Sequence, residues 1–114
     1  MPTFKQFDVV VVPFPYTDLS TSKRRPALVL SDARKFNGKI GQSVMAMITS
    51  AQHSSWPLDV DIEDLDAAGL PAPSTIRLKL FTLDHRIVIR SCGRLADIDQ
   101  TKMRAALEQL MPYP

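Results

Sequence analysis

The apolar residues of this chain fall into short runs, which are separated by polar stretches rich in proline, glycine and hydroxyl residues. Four consecutive valines follow Asp8. Because valine suits the pleated surface of a sheet better than a helix, residues 7–12 are predicted to form a buried strand. The apolar runs at 26–30 and 43–49 have the length of two further buried strands.

The second half of the chain predicts three more strands. Residues 58–62 and 75–80 alternate between apolar and polar, which is typical of strands with one exposed face. Within 75–80 the pattern points Ile76, Leu78 and Leu80 inward and Thr75, Arg77 and Lys79 outward. Residues 86–91 predict the sixth strand, which Gly93 is expected to end.

The C-terminal segment has the spacing of an amphipathic helix. Asp97 is predicted to be its N-cap, with Gln100 as a capping-box-like partner three residues later, and Pro112 is expected to end it. Its predicted apolar face comprises Ile98, Thr101, Met103, Ala106, Leu107 and Leu110. The chain is therefore predicted to be one domain, 1–114, mainly β (α+β), with about six short strands in a curled, barrel-like sheet and one helix packed on it.

The stretch around Arg25 carries the first candidate chemistry. Residues 13–24 form a connection longer than most hairpin loops, and long loops in compact domains are often functional. Lys23, Arg24 and Arg25 run into Pro26, which is predicted to be the first residue of its strand because it lacks an N–H group. An extended Arg25 at the mouth of a strand suits a two-pronged grip on phosphate. The alternative is that the three cations are a solvated loop end.

Composition excludes several classes of protein. The chain is 45% hydrophobic and 23% charged, as in ordinary globular domains. No apolar run approaches the roughly 20 residues that span a bilayer, and the N-terminus lacks the apolar core of a signal peptide, so no membrane partner is expected. The single cysteine, Cys92, fits a small hydrophobe in a strand and a reducing cytoplasm, which predicts a cytoplasmic location.

The net charge of +2 conceals a segregation of charge along the chain. Residues 1–50 carry seven cations and three anions, and residues 75–95 carry five cations and one anion. Between them, residues 51–74 carry five anions and no cation, so this acidic block is expected to lie elsewhere or face away. If the two basic segments meet in space, they form a cationic face that favours a polyanionic ligand.

Three stretches are expected to supply a phosphate site where neighbouring strands bring them together. Arg25 is at the start of one strand, Thr49 and Ser50 are at the end of another, and Arg77 with Lys79 is on the outward face of a third. Arginines neutralise phosphate charge and hydroxyls donate to its oxygens. The alternative for Arg77 and Lys79 is solvated charge on a strand face. No spacing of His53, His85 or carboxylates indicates a metal, and no cofactor is expected.

Four blocks of the sequence, in order, resemble the MazF/PemK toxins of bacterial type II toxin–antitoxin systems, especially the PemK-like branch. They are residues 8–14 followed by 23–30, the strand end at 48–50, the block 75–84, and 93–95 with the helix after them. The resemblance runs over residues 7–111 and implies a small SH3-like barrel that forms a homodimer. It implies a metal-independent endoribonuclease that cuts single-stranded RNA or mRNA to 2′,3′-cyclic phosphate and 5′-hydroxyl ends, which inhibits translation and growth.

The resemblance also assigns roles to residues. Arg25 matches an arginine that stabilises the phosphorane or protonates the leaving oxygen, Thr49 matches a hydroxyl that orients the phosphate, and Arg77 matches an arginine that is catalytic in one branch. The substrate-binding set is predicted to be Ser50, Lys23, Arg24, Gln52, Lys79 and Thr82. The implied protein partner is a cognate antitoxin, whose acidic C-terminal segment covers the active groove and whose complex with the toxin binds DNA.

Lys79 departs from the family pattern. In the branch that uses Arg77, the residue two positions later is an acid that serves as general base, and a protonated lysine cannot do so. Lys79 is then a candidate for binding phosphate, and the reaction either relies on electrostatics and orientation alone or takes its base from His53 or Asp18. Two alternatives to the ribonuclease therefore remain at this point: a toxin without enzymatic activity that binds a protein such as DNA gyrase, and a decayed toxin-like module kept for partner binding.

Overall fold

The computed structural model describes residues 3–14, 23–51 and 55–114, in which the chain forms one curled antiparallel sheet with a C-terminal helix. The strands are β1 (Asp8–Phe14), β2 (Lys23–Val29), β3 (Gln42–Ser50), β4 (Val60–Asp61), β5 (Ser74–Asp84) and β6 (Arg90–Arg94). Their order across the sheet is β4-β5-β3-β2-β1-β6. The predicted fold class, mainly β with about six strands in a small SH3-like barrel and one C-terminal helix, is confirmed, and the sheet closes only as far as a half-barrel.

Short helical elements connect the strands. A π-helical turn, Ala33–Asn37, leads into the single turn α1 (Gly38–Ile40), and α2 (Leu65–Ala68) follows β4. A 3-10 turn, His85–Ile87, lies between β5 and β6, and α3 (Asp97–Leu110) ends the fold. No helix in the described parts of the chain is long and apolar enough to cross a membrane.

The valine run of β1 is continuous because this strand is buried on both faces. Val9, Val10, Val11 and Val12 are each at most 8% exposed. Neighbouring strands β2 and β6 pair with β1 on its two sides, and a core cluster covers each face. A strand enclosed in this way needs apolar side chains at every position, which is why the sequence shows a run and not an alternation.

Two core clusters lie on opposite faces of the sheet. The first contains Val9, Leu28, Ile48 and Ile76, and Met103 of α3 packs into it. The second, built mainly from alternate residues of the same strands, consists of Val10, Val12, Ala27, Val29, Met45, Phe81 and Leu83. Because cross-strand partners share a face, the pairing register assigns every strand residue to the face of one cluster or the other.

The exposures predicted for β5 are wrong at Thr75 and Leu80, and the strand contains a register irregularity. The register shifts between Ala46 and Met47, which oppose Leu80 and Arg77 respectively, so two residues of β5 have no direct partner there. Because the shift is of two residues, the alternation of faces along β5 is kept, but the buried face changes: Ile76 and Leu78 pack in the first core cluster, and Phe81 and Leu83 pack in the second. Leu80, predicted to point inward, is 37% exposed, and Thr75, predicted to point outward, is 5% exposed. Thr75 tolerates burial because its hydroxyl donates to Asp61 Oδ1 at 2.6 Å.

The last strand begins later than the sequence predicts. Asp84 accepts a hydrogen bond from the backbone N–H of Arg86 and so starts the 3-10 turn where residues 86–91 were expected to be extended. Gly93 does not end β6 but lies inside it. A Cβ atom at Gly93 would lie 2.4 Å from the carbonyl oxygen of Ala67, so this glycine lets α2 approach the strand closely.

The start of α3 also differs from the prediction. Its N-cap is Ala96, which makes no side-chain capping bond, and Asp97 is its first helical residue. Ile98, expected on the apolar face, is 54% exposed. The helix is instead anchored by Asp99, whose fully buried carboxylate accepts hydrogen bonds from the backbone N–H groups of Glu63 and Asp64 at 2.9 and 3.0 Å. These contacts rotate the helix so that residues 99, 100, 103 and 106 face the sheet.

Candidate active site

The pairing register puts the three predicted catalytic residues on one face of the sheet. Arg25 lies opposite Val12, and Arg77 lies opposite Met47, and both partners pack in or against the second core cluster. Thr49, two residues after Met47 on the same strand, faces the same way. Arg25, Thr49 and Arg77 therefore come from β2, β3 and β5, which are adjacent strands, and share a face.

A cleft opens where β2 and β3 stop pairing. Their ladder covers only Ala27 to Val29 on β2, and the next residue towards the start of the strand is Pro26, which has no N–H group to donate. Pro26 was predicted to be the first residue of its strand, but β2 begins at Lys23. From Pro26 back to Lys23, β2 is no longer paired with β3, so the edge of β2 that faces β3 is open. The resulting cleft, of about 210 Å³, is lined by residues 24–26, 48–50 and 70–74.

Arg25 is held at this cleft with an unused hydrogen-bond donor. Its guanidinium carbon lies 5.7 Å from the centre of the Phe14 ring, a cation–π contact that orients the side chain. Its Nε atom is buried and has no acceptor among the described residues. A buried donor without an acceptor costs about 1–3 kcal/mol, so a movement of the side chain that brings Nε to a ligand oxygen atom would recover this energy.

The hydroxyl groups at the cleft come from the paired ends of β3 and β5. Thr49 is half-buried and opposite Thr75, and Ser50 is exposed and opposite Ser74. The β5 hydroxyls are occupied, since Thr75 donates to Asp61 and Ser74 donates to the carbonyl oxygen of Ala72. The hydroxyls of Thr49 and Ser50 make no side-chain hydrogen bond within the described parts of the chain and are available to a ligand.

Arg77 is engaged by a carboxylate. Its Nη2 and Nε atoms donate to the two oxygens of Asp59 at 3.0 and 3.3 Å, and its side chain is only 15% exposed. The hydrogen bond to Asp59 raises the pKa of Arg77, against a smaller opposing effect of desolvation. The acidic block was expected to face away from the basic segments, and at Asp59 this expectation is wrong. Trp56 lies beside the pair, with its ring centre 5.9 Å from the Arg77 guanidinium and 4.8 Å from Lys79 Nζ.

His85 lies away from the cleft and has a structural environment. Its Nε2 atom is 2.6 Å from the hydroxyl of the fully buried Ser43, and its ring packs edge-on against Phe4 with 5.0 Å between ring centres. Partial burial lowers its pKa, an effect that neighbouring Asp84 opposes. Among the described residues, no three His, Cys, Asp or Glu side chains converge in a way that could hold a metal ion.

Comparison with known proteins identifies the family. Residues 5–111 match the family described as the PemK-like, MazF-like toxin of type II toxin–antitoxin systems. The chain belongs to this family. The match covers nearly the whole of this PemK-like toxin, including every strand and α3. The sequence matches no curated protein.

Several solved structures, among them toxins from mycobacteria and Deinococcus radiodurans, share the fold. An endoribonuclease in complex with its cognate antitoxin from a mycobacterial species is 18% identical, with a TM-score of 0.75 and all of both chains covered. A MazE–MazF structure from Deinococcus radiodurans is 21% identical, with a TM-score of 0.73 and all of both chains covered. A Mycobacterium tuberculosis MazF toxin is 17% identical, with a TM-score of 0.70, 94% of this chain covered and 98% of the other. At these identities the likeness establishes the shared fold.

The predicted substrate-binding residues of the PemK-like toxin separate into groups. Arg24 and Ser50 line the cleft, and Lys23 is exposed at the start of β2. Lys79 lies over Trp56, as described above. Thr82 pairs with Val44 near the other end of β5, about 17 Å along the sheet from the Thr49 pair by strand geometry, so the structure does not bring it to the cleft. Gln52, His53 and Asp18 lie outside the described residues.

Two features of this surface were missed by sequence reasoning. The segment 70–74 forms one wall of the cleft, although its prolines indicated only a loop. Arg90, the first residue of β6, lines a neighbouring cavity together with Arg24 and Arg25. The signal for Arg90 in the sequence was the basic character of residues 75–95. The strand order then explains its position, because β6 pairs with β1 and β1 lies next to β2, which carries Arg24 and Arg25.

Proposed function

We propose that this PemK-like toxin is an endoribonuclease that cleaves single-stranded RNA without a metal ion. The observation that carries the proposal is the buried, unpartnered Nε of Arg25 beside the hydroxyls of Thr49 and Ser50. A cationic donor and two hydroxyl groups around a cleft match the needs of a phosphodiester whose charge increases in the transition state. The names of two similar structures, mycobacterial endoribonucleases, are in agreement with this activity.

The proposed reaction uses the RNA itself as nucleophile. The 2′-oxygen bonds to the neighbouring phosphorus, the bond from phosphorus to the 5′-oxygen breaks, and the products carry a 2′,3′-cyclic phosphate and a 5′-hydroxyl. Arg25 stabilises the negative charge on the phosphorane and on the departing 5′-oxygen, which takes up a proton from solvent, while Thr49 orients the phosphate. Ser50 and Arg24, which line the same cleft, bind the non-bridging oxygens.

The acceptor of the 2′-hydroxyl proton does not come from the described cleft wall. No carboxylate or imidazole is among the residues that line the cleft in 3–14, 23–51 and 55–114. His53 and Asp18 therefore remain the proposed candidates. Arg77 is held by Asp59, so we propose that it supports the site indirectly, by its positive charge and by its contact with Trp56. Arg25 and Thr49 are the principal catalytic pair.

The partners follow from the same proposal. We propose a cognate antitoxin, whose acidic segment would compete with RNA for the arginines of the cleft, and a homodimeric toxin that acts on mRNA in the cytoplasm. The similar structures from mycobacteria and Deinococcus radiodurans include toxins in complex with antitoxin. Arg24 and Arg25 have no carboxylate partner among the described residues, so their charges are available to either polyanion.

The direct test is incubation of the purified protein with mixed single-stranded RNA in the presence of EDTA, followed by mapping of the new ends. We expect cuts at a recurring short sequence with 5′-hydroxyl and 2′,3′-cyclic phosphate ends. Intact RNA would contradict the proposal. A supercoiling assay with DNA gyrase would then distinguish a toxin that binds a protein target from a module without toxic activity.

A further inference from the structure

A second cavity of about 240 Å³ adjoins the proposed catalytic cleft. Its floor is Val11 of β1, which pairs with Pro26 on one side and with Arg90 on the other. Arg90 therefore shares the face of Val11, and so does Arg24, which is two residues from Pro26. Because β2 and β6 flank β1, these two arginines stand on opposite walls, with Cα atoms about 12 Å apart by strand spacing and the two-residue offset of Arg24 from Pro26.

Three cationic side chains line this cavity, and no described residue neutralises them by an ion pair. Arg24, Arg25 and Arg90 all line it, and none of the three forms an ion pair with a described residue. Three arginines elsewhere are ion-paired: Arg77 with Asp59, Arg86 with Asp84 at 2.9 Å and Arg94 with Asp8 at 3.0 Å. Arg34 and Arg104 also form no ion pair with a described residue, but neither lines this cavity. The remainder of the wall is apolar or backbone, from Leu70, Pro71 and their neighbours.

The side chain of Arg90 is only weakly engaged. Its single side-chain hydrogen bond among the described residues runs from Nη1 to the sulfur of Cys92 at 3.7 Å. A thiol is a weak acceptor, so most of the five guanidinium donors remain for a ligand. Guanidinium groups that converge on one cavity without a carboxylate repel each other, and a bound anion removes this repulsion.

We propose that this cavity binds a second phosphate group of the RNA strand, next to the phosphate that is cleaved. The inference rests on the proposed ribonuclease function, because the two cavities form one groove: Arg24, Arg25, Pro26, Leu70 and Pro71 line both. A strand whose scissile phosphate lies against Arg25 and Thr49 continues past Arg24 towards Arg90. Arg90 thereby acts as a substrate-binding residue that fixes the direction of the strand.

The test measures binding apart from cleavage. A single-stranded 2′-deoxy oligonucleotide lacks the attacking hydroxyl, so its affinity can be measured by fluorescence anisotropy between about 50 and 200 mM salt. For single strands each phosphate contact contributes about 0.7 to the slope of log affinity against log salt. We expect Arg90→Gln to reduce this slope by about 0.7 and to weaken binding at the lower salt about tenfold.

Arg86→Gln is the matched control, because Arg86 is an exposed arginine that is already paired with Asp84. We expect it to leave the affinity and the slope unchanged. Arg90→Lys, which keeps the charge but not the planar fork, should retain the slope and lose part of the affinity. An Arg90→Gln protein with the affinity and slope of the wild type would overturn the proposal.

Cys92 supplies a second readout that needs no substitution. It is the only cysteine of the chain, is half-buried and lines the cavity. Saturating oligonucleotide should slow alkylation of Cys92 in the wild-type protein, and an unchanged rate would count against phosphate binding here. Protection by an acidic peptide but not by the oligonucleotide would assign the cavity to a protein partner and also overturn the proposal.

Failure of the second phosphate site can be distinguished from failure of the proposed ribonuclease function. RNA that stays intact while the oligonucleotide shows an Arg90-dependent slope would overturn the ribonuclease and retain the phosphate site. RNA cleavage together with a slope that is independent of Arg90 would overturn only the second site.

Discussion

Arg77 and Asp59 are joined by two hydrogen bonds, from Nη2 to Oδ2 at 3.0 Å and from Nε to Oδ1 at 3.3 Å. The same carboxylate accepts the backbone N–H of Trp56 at 3.2 Å, and the backbone N–H of Asp59 donates to the Trp56 carbonyl oxygen. The Asp59 side chain thus closes the turn at 56–59 and also connects this turn to β5 through Arg77. Leu58 lies in this turn with a φ of 66°, a left-handed conformation that the closed turn maintains.

This relationship predicts that Asp59→Ala and Arg77→Ala have the same effect on Trp56. Either change frees the turn, so the indole should lose its contact with the cations of β5 and its emission should shift to longer wavelength. Trp56 is the only tryptophan in the chain, which makes intrinsic fluorescence a direct measurement. The double variant should show no further shift, and Arg86→Ala should show none. Additive shifts would mean that the two residues do not act as a unit.

The close approach of α2 and β6 makes Gly93 sensitive to any side chain. We expect Gly93→Ala to lower the free energy of unfolding by about 1–3 kcal/mol, because the new methyl group would overlap backbone atoms of Ala67 and Ala68. Gly41→Ala is the control. Its φ is 68° but nothing lies within 4 Å of the added carbon, so only the conformational cost of about 1–2 kcal/mol applies. Urea unfolding measures both, and equal stability of Gly93→Ala and wild type would contradict the described packing.

The fold was predictable where burial alone determines the pattern. The valine run of β1 and the apolar runs of β2 and β3 are strands because each is buried on both faces, and no other element competes for those residues. Predictions failed where one hydrogen bond decides the outcome. Asp84 starts a turn at the expected sixth strand, and the buried Asp99 sets the rotation of α3. Such contacts involve tertiary partners that a local pattern does not reveal.

The types of residue in the candidate site were predictable from the sequence, but the residues that contact them were not. Arg25 and Thr49 could be located because Pro26 and the apolar runs of β2 and β3 are visible in the sequence, although β2 begins three residues earlier than predicted. The pairing of Arg77 with Asp59 could not, because it joins residues 18 positions apart through a turn with a left-handed leucine. The contribution of Arg90 depends on strand order, since β6 lies beside β1 although the two are at opposite ends of the chain.

Stability should depend on pH through His85. Burial lowers its pKa in the folded state, and the facing groups are Ser43, Phe4, Asp84 and the backbone of Gly41. The unfolded chain, with an ordinary histidine pKa of about 6.5, then binds the proton more readily. The contribution of His85 to the free energy of unfolding is therefore fully present above about pH 7, and it is lost as the pH falls through 6.5 towards the pKa of the folded state. His85→Gln should lose less stability than the wild type between about pH 8 and 5, measured by urea unfolding. An identical decline in the two proteins would exclude His85 as its source.

Thr49 should matter through its hydroxyl group and not through its shape. We expect Thr49→Val to slow RNA cleavage about 100-fold, because an oriented donor to the phosphate is lost. Thr49→Ser keeps the donor and should retain most of the rate. Single-turnover cleavage of one RNA substrate measures both variants, and a wild-type rate for Thr49→Val would remove Thr49 from the mechanism.

The measurement that tests the central claim most directly is the single-turnover rate of RNA cleavage by Arg25→Ala, with circular dichroism to verify the fold. Arg34→Ala is the matched control, since Arg34 is an exposed arginine in the turn beyond the opposite end of β2. We expect Arg25→Ala to lose at least about 10²–10³-fold in rate, because the principal cationic donor to the phosphorane is gone, and Arg34→Ala to cleave normally. A folded Arg25→Ala protein that cleaves RNA at the wild-type rate would contradict the account.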